Sequence, residues 1–197
     1  MKKFFYAFLP VFLMINSCYE DEMNRTIFIA DENNSSLPAY TEWGYNSFGA
    51  IYDRNYFLVS RSVTPCKITY EKGMLNFYLI GKIDYDNDSS MELKFTFPSQ
   101  RMDHFRDLAS LNNTTIDLLK DYCSVTIEVN GNEDAISLLS GNLTFRRVQL
   151  LKIDGEENRV ILSGVFELRF LRKDRPETIS NGRFDMGINN DFYSFPE

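Results

Sequence analysis

From Pro38 onward the apolar residues recur at every second position, the pattern of strands with one buried face. The clearest run places Val160, Leu162, Gly164, Phe166, Leu168 and Phe170 on one side. Arg159, Ser163, Glu167 and Arg169 fall on the other, alongside Ile161 and Val165. Shorter runs repeat the pattern at Leu75, Phe77, Leu79 and Ile83, at Leu93, Phe95 and Phe97, at Val125, Ile127 and Val129, and at Phe184, Met186 and Ile188. Turn-forming residues separate them: Glu71-Lys72-Gly73, Asp84 to Ser90, Asn130-Gly131-Asn132, Asp154-Gly155 and Asn181-Gly182. The Asp154-Gly155 turn predicts an antiparallel hairpin of Leu143 to Ile153 with Arg159 to Leu171. In its first arm the alternation changes phase at Arg146-Arg147, which predicts a β-bulge.

One segment departs from period two. In Gln100 to Leu111, Met102, Phe105, Leu108 and Ala109 stand at helical spacing, with Ser99 available as N-cap. A second short helix is expected over Thr115 to Lys120. Between Glu22 and Pro38 the chain is polar apart from Ile27-Phe28-Ile29, which suggests one early strand. The expected fold is mainly β, an antiparallel β-sandwich or barrel-like sheet with one or two short helices.

The first residues follow a different logic. Lys2 and Lys3 precede an apolar run from Phe4 to Ile15, a charged n-region and an h-region of secretory length. At about 12 residues the run is shorter than the roughly 20 needed to span a bilayer, and Pro10 interrupts it. It ends in Ile15-Asn16-Ser17-Cys18, which resembles the lipobox of bacterial lipoproteins. That resemblance implies lipidation of Cys18 and cleavage before it. The following Glu20-Asp21-Glu22 resembles the acidic export signal of surface lipoproteins in Bacteroidetes-type bacteria; the alternative is a plain solvated tether. The organisation expected is a signal peptide over 1–17, a lipidated polar tether over 18–37 and a single β-rich domain over 38–197. Such a protein is attached to the membrane without crossing it, in the outer membrane and facing the periplasm or the cell surface.

Charge narrows the partners. The chain has 21 basic and 28 acidic residues, a formal net charge of −7, and loss of Lys2 and Lys3 makes the mature form more acidic. Without a basic stripe to neutralise phosphates, nucleic acid is not an expected partner, nor is direct adhesion to anionic lipid. Lipidation would use one of the three cysteines and leave Cys66 and Cys123. A bridge between them would close a loop of about 57 residues, worth about 4 kcal/mol in the chain-entropy model. The alternative is two small buried hydrophobes, since both begin apolar strand-like runs.

Candidate chemistry is sparse. His104 is the single histidine, no G-x-S-x-G elbow is present, and two cysteines with one histidine fall short of a structural zinc site. No metal or cofactor is expected. Asp84, Asp86 and Asp88 match the first ligands of a D-x-D-x-D calcium loop. Ser89 then stands where glycine is needed and Phe95 where the bidentate glutamate belongs, with Glu92 at the ninth position. The competing reading is a solvated acidic turn. Aromatics crowd the stretch Tyr40, Trp43, Tyr45, Phe48, Tyr52, Tyr56 and Phe57. The loop-like Trp43-Gly44-Tyr45-Asn46 makes Trp43 and Tyr45 the candidates for stacking on a ligand such as a sugar; the others are core candidates.

The segments Leu37 to Arg54, Ile161 to Leu168 (ILSGVFEL) and Ile179 to Ile188 (ISNGRFDMGI) resemble uncharacterised lipoproteins of Bacteroidetes-type bacteria, in which a strand with G-x-F is followed by a terminal strand carrying G-R-F-D. The resemblance implies no catalytic residue. In Gly182-Arg183-Phe184-Asp185, Phe184 is expected to face the core and Arg183 and Asp185 to point outward, with a structural role. The sequence thus points to an envelope lipoprotein that binds a ligand, a glycan for instance, without catalysis. The alternatives are a structural subunit of an envelope assembly and, third, a hydrolase.

Overall fold

The computed structural model describes residues 24–60, 64–83, 89–134, 136–153 and 155–194. The expected signal peptide, Cys18 and the acidic residues behind it therefore lie outside the described residues. Within them the alternating runs form β1 (Ser47–Tyr52), β2 (Asn55–Val59), β3 (Cys66–Glu71), β4 (Met74–Ile83), β5 (Ser89–Pro98) and β6 (Thr114–Asp117). They continue through β7 (Ser124–Val129), β8 (Asn132–Asp134), β9 (Ile136–Ile153), β10 (Glu156–Arg172), β11 (Arg175–Ile188) and β12 (Tyr193–Ser194). One sheet holds them all, in the order β6-β9-β10-β11-β1-β2-β4-β5-β7-β8, with β3 on β4 and β12 parallel to β3. The fold is mainly β, a curled antiparallel sheet forming a half-barrel.

Curling brings strands distant along the path face to face. Phe77 of β4 meets Phe145 of β9 and Phe184 of β11 at 6.0 and 5.0 Å between ring centroids. Phe95 of β5 meets Phe166 of β10 edge-on at 5.5 Å. All five rings are buried, so the hollow of the sheet is a packed phenylalanine core of tilted and edge-on contacts.

The G-x-F signatures have a physical meaning here. Gly164 pairs across the ladder with Phe184, and Phe166 with Gly182, so each ring lies over the glycine of the neighbouring strand. A Cβ on Gly164 would stand 2.1 Å from the Thr144 carbonyl oxygen and 2.5 Å from Phe184 Cζ. The ring occupies the space that a side chain would need.

The 143–153 and 159–171 segments form the expected hairpin, and the register skips Arg146 between Ser163↔Arg147 and Gly164↔Phe145, which is the predicted bulge. Asn181-Gly182, read as a turn, is instead a bulge inside β11. Both β10 and β1 lose one residue of register there, with Asn181 at φ 53°.

The helical expectations need correction. The helix is 3-10, confined to Phe105–Leu111, and the Asp107 carboxylate reaches back to accept the N–H groups of Asp103 and His104, so His104, not Ser99, sits at its start. Its buried residues with Met102 are Phe105, Leu108 and Leu111, a spacing of three that suits 3-10 rather than α geometry. The expected second helix is absent: Thr114–Asp117 is β6, paired with β9, where β-branched threonines and Ile116 fit a strand.

A half-buried ion cluster ties the last strand of the path to its middle. Arg172 of β10 donates through Nε to Asp134 of β8 at 2.9 Å and through Nη1 to the Tyr52 hydroxyl of β1 at 2.9 Å. Lys173 adds a contact to Asp134 at 2.8 Å, and the Tyr52 hydroxyl also bonds Glu177 of β11.

Candidate functional site

Residues Asn24 to Asn46 lie along the outer face of the sheet, and beside the apolar Leu58 and Ile161 they cover a polar row. Ser47, Asp185 and Ser163 form one cross-strand row over β1, β11 and β10, and all three are buried. This corrects the outward placement of Asp185. Its side chain does leave the face opposite Phe184, but a loop closes over it.

The closure is made by the carboxylate itself. Asp185 accepts the backbone N–H groups of Trp43, Gly44 and Tyr45 at 3.1, 2.8 and 3.3 Å, and the hydroxyls of Thr41 and Ser163 at 2.5 and 2.8 Å. Successive N–H groups curled around one anion form a nest, which requires an unusual backbone path. Gly44 and Asn46 supply it at φ 74° and 52°. Asn46, itself buried, accepts the Gly187 N–H at 2.9 Å and pins the loop's other end. The result is a rigid loop from which Trp43 projects 71% exposed. Tyr45 is half-buried, and its carbonyl accepts the Ile27 N–H at 2.8 Å.

Beside this loop runs a groove of about 450 Å³ on the outer face of β9, β10 and β11. Tyr40 forms one wall. Its ring lies under the Arg146 guanidinium, 5.3 Å from the centroid, and its hydroxyl donates to Glu42 at 3.0 Å. Burial first, and the Glu42 carboxylate second, push the Tyr40 phenol well above its ordinary range, so it stays a neutral donor. Arg183, expected outward, reaches the groove but is engaged. It pairs with Asp31 at 2.6 Å, while the N–H groups of Asn33 and Asn34, and after them Arg183, hold the Asp31 carboxyl below its usual range.

The remaining candidates are not brought to this place. Phe48, Tyr52 and Phe57 pack inward as core, while Tyr56 is half-buried. Asp84, Asp86 and Asp88 lie outside the described residues, and among the described residues no group of three metal-ligating side chains converges. His104 starts the 3-10 helix, away from the groove.

Cys66 and Cys123 are free thiols, which removes the bridge. Topology explains it. Cys66 starts β3 and Cys123 precedes β7, with β4 and β5 between them, roughly 14 Å at the usual strand spacing, whereas a disulfide needs Cα atoms within about 7 Å. Burial pushes the Cys66 thiol far above its ordinary range.

Compared with protein-family models, curated proteins and solved structures, the chain matches none. Among the described residues no helix is long and apolar enough to cross a membrane.

The residues that shape the site were only partly visible in the sequence. Trp43 was singled out by its glycine-flanked loop. Glu167 is placed by strand register, Arg146 by the bulge in β9 and Tyr40 by the path of the covering segment, a conjunction that no local pattern encodes.

Proposed function

We propose that this protein is an envelope lipoprotein, anchored through Cys18, that binds a glycan without transforming it. The observation that carries this reading is Trp43. A large apolar ring held 71% exposed on a loop locked to a buried carboxylate has no use in the core and a ready use in stacking on a ligand. The neighbouring groove supports it, since its lining mixes one aromatic wall with amide, hydroxyl and charged groups and has a volume within the usual range of small-molecule sites, roughly 300–1,000 Å³. Among the described residues that line it, one carries a carboxylate, Glu167, where glycoside hydrolysis ordinarily uses two.

The test is a glycan array probed with the full chain in detergent beside its Trp43→Ala variant. Retention of defined glycans, weakened about tenfold or more by the substitution, supports the reading; equal signals from both proteins refute it. Anchoring has its own test: cells fed a labelled fatty acid should label the protein, and Cys18→Ala should abolish the label.

One observation favours a second reading, a subunit of an envelope assembly. Ile27, Phe28 and Ile29 are consecutive and 39 to 45% exposed, an apolar strip of the kind that marks interfaces. Cross-linking in intact envelopes should then yield a discrete adduct that Phe28→Ser abolishes.

A further inference from the structure

The groove carries more detail than a ligand class. Its floor is Val165, and the strand register sets what stands around it: Asn142 pairs with Glu167 at one end, and Thr144, Val165 and Arg183 share the next row. Most charges nearby are engaged, Arg183 by Asp31 and Glu42 by Arg147. Arg146 and Glu167 are exposed and have no oppositely charged partner among the described residues. The side-chain amides of Asn142 and Asn181 are likewise without a hydrogen bond among the described residues. Four side chains with open hydrogen-bonding capacity thus surround a floor that is itself apolar.

Their chemistry defines the complement. Glu167 only accepts, Arg146 only donates and the two amides do both, so the matching ligand presents many groups that are each donor and acceptor, which is the description of hydroxyls on a sugar. Charge sets a second limit. Among the described lining residues Arg146 is the open cation and Glu167 the open carboxylate, so a net charge of either sign on the ligand would meet repulsion at one of them. Length sets a third. The row after Thr144, Val165 and Arg183 is Arg147, Ser163 and Asp185, to which the Trp43 loop is bonded. Each same-face step along a strand is about 7 Å, so the path from Glu167 to the Trp43 loop is about 14 Å, longer than one sugar ring.

We propose that this groove binds a stretch of a neutral oligosaccharide, with Glu167 and Asn142 holding hydroxyls at one end, Arg146 doing so beside Tyr40, and Trp43 capping the far end. This rests on the glycan reading and names its site. Tyr40, oriented by both Glu42 and Arg146, makes the wall rigid before the ligand arrives.

The full chain in detergent is first probed on an array holding neutral, uronic-acid and sulfated oligosaccharides, and the best neutral hexasaccharide is then titrated calorimetrically beside its monosaccharide. The expected result is retention of neutral chains, binding of the monosaccharide at least tenfold weaker, and a loss of tenfold or more with Glu167→Gln and with Asn142→Ala. Glu133→Gln on β8 should leave the affinity unchanged, and thermal melts should show every variant folded. Affinity reduced by Trp43→Ala but untouched by both groove variants would overturn the groove and leave the glycan reading standing. Retention of charged chains alone would overturn the neutral class, and retention of none would overturn both readings.

Discussion

Asp185→Asn is the most informative perturbation because the substitution keeps the shape of the buried carboxylate and changes only what it can accept. An amide must replace one oxygen with NH2. Placed at Oδ2, that group would face Thr41 and the N–H groups of Trp43 and Tyr45; placed at Oδ1, it faces the Gly44 N–H and the Ser163 hydroxyl, which can turn to accept. The second arrangement loses less. It strands one donor, at about 1–3 kcal/mol, and demotes the remaining bonds from charge-assisted to neutral, about 1 kcal/mol for each of the better ones. Because the loop's N–H groups regain some water once it loosens, the net loss should be about 3 kcal/mol. For a chain of this size that lowers the melting temperature by roughly 6–12 °C. Urea unfolding followed by circular dichroism gives the stability, and Trp43, the only tryptophan, reports the loop separately through its fluorescence anisotropy and quenching by acrylamide. Anisotropy should fall, and quenching rise, at urea concentrations where the sheet is intact. A stability loss under about 0.5 kcal/mol with unchanged anisotropy would refute the claim that Asp185 holds the loop.

Three other outcomes follow from the same structure. Gly164→Ala should destabilise by about 3 kcal/mol or more in urea titrations, because its Cβ would lie 2.1 Å from a backbone oxygen and 2.5 Å from Phe184, which cannot both retreat. Stability should be lost in acid: Lys173 and Arg172 hold the Asp134 carboxyl below its ordinary range, so its contribution is complete above the unfolded value near pH 4 and disappears as pH falls through the lower folded value. Melts between pH 2 and 6 should therefore show a shallower acid slope for Asp134→Asn than for the parent protein. Under native conditions N-ethylmaleimide should label the partly exposed Cys123 before the fully buried Cys66, with Cys66 reacting at the rate of unfolding; equal rates would contradict its burial.

What the sequence determined by itself is what short-range pattern controls. Period-two alternation located the long strands, the phase change at Arg146 marked a real bulge, and the apolar side of Val160 to Phe170 is the side that faces the core. The same locality explains the errors. Apolar residues every three positions near Phe105 look nearly helical whether the turn is 3-10 or α, and Thr115 to Lys120 has little pattern until β9 offers Thr114–Asp117 a partner. Asn181-Gly182 has turn chemistry, and only its neighbours β1 and β10 decide that the chain continues straight with an extra residue.

The site belongs to the second category almost entirely. Trp43 could be singled out in the sequence because a glycine-flanked aromatic signals a loop, but its exposure depends on Asp185, more than 140 residues away, being buried beneath it. The alternation rule put Asp185 on the outer face correctly. It could not say that the outer face would itself be covered, because coverage depends on where the preceding chain lies, and a strand's own pattern holds no information about that. The curl of the sheet and the path of residues 24–46 decided which polar groups are buried as scaffold and which, like Glu167 and Arg146, are left open to a ligand.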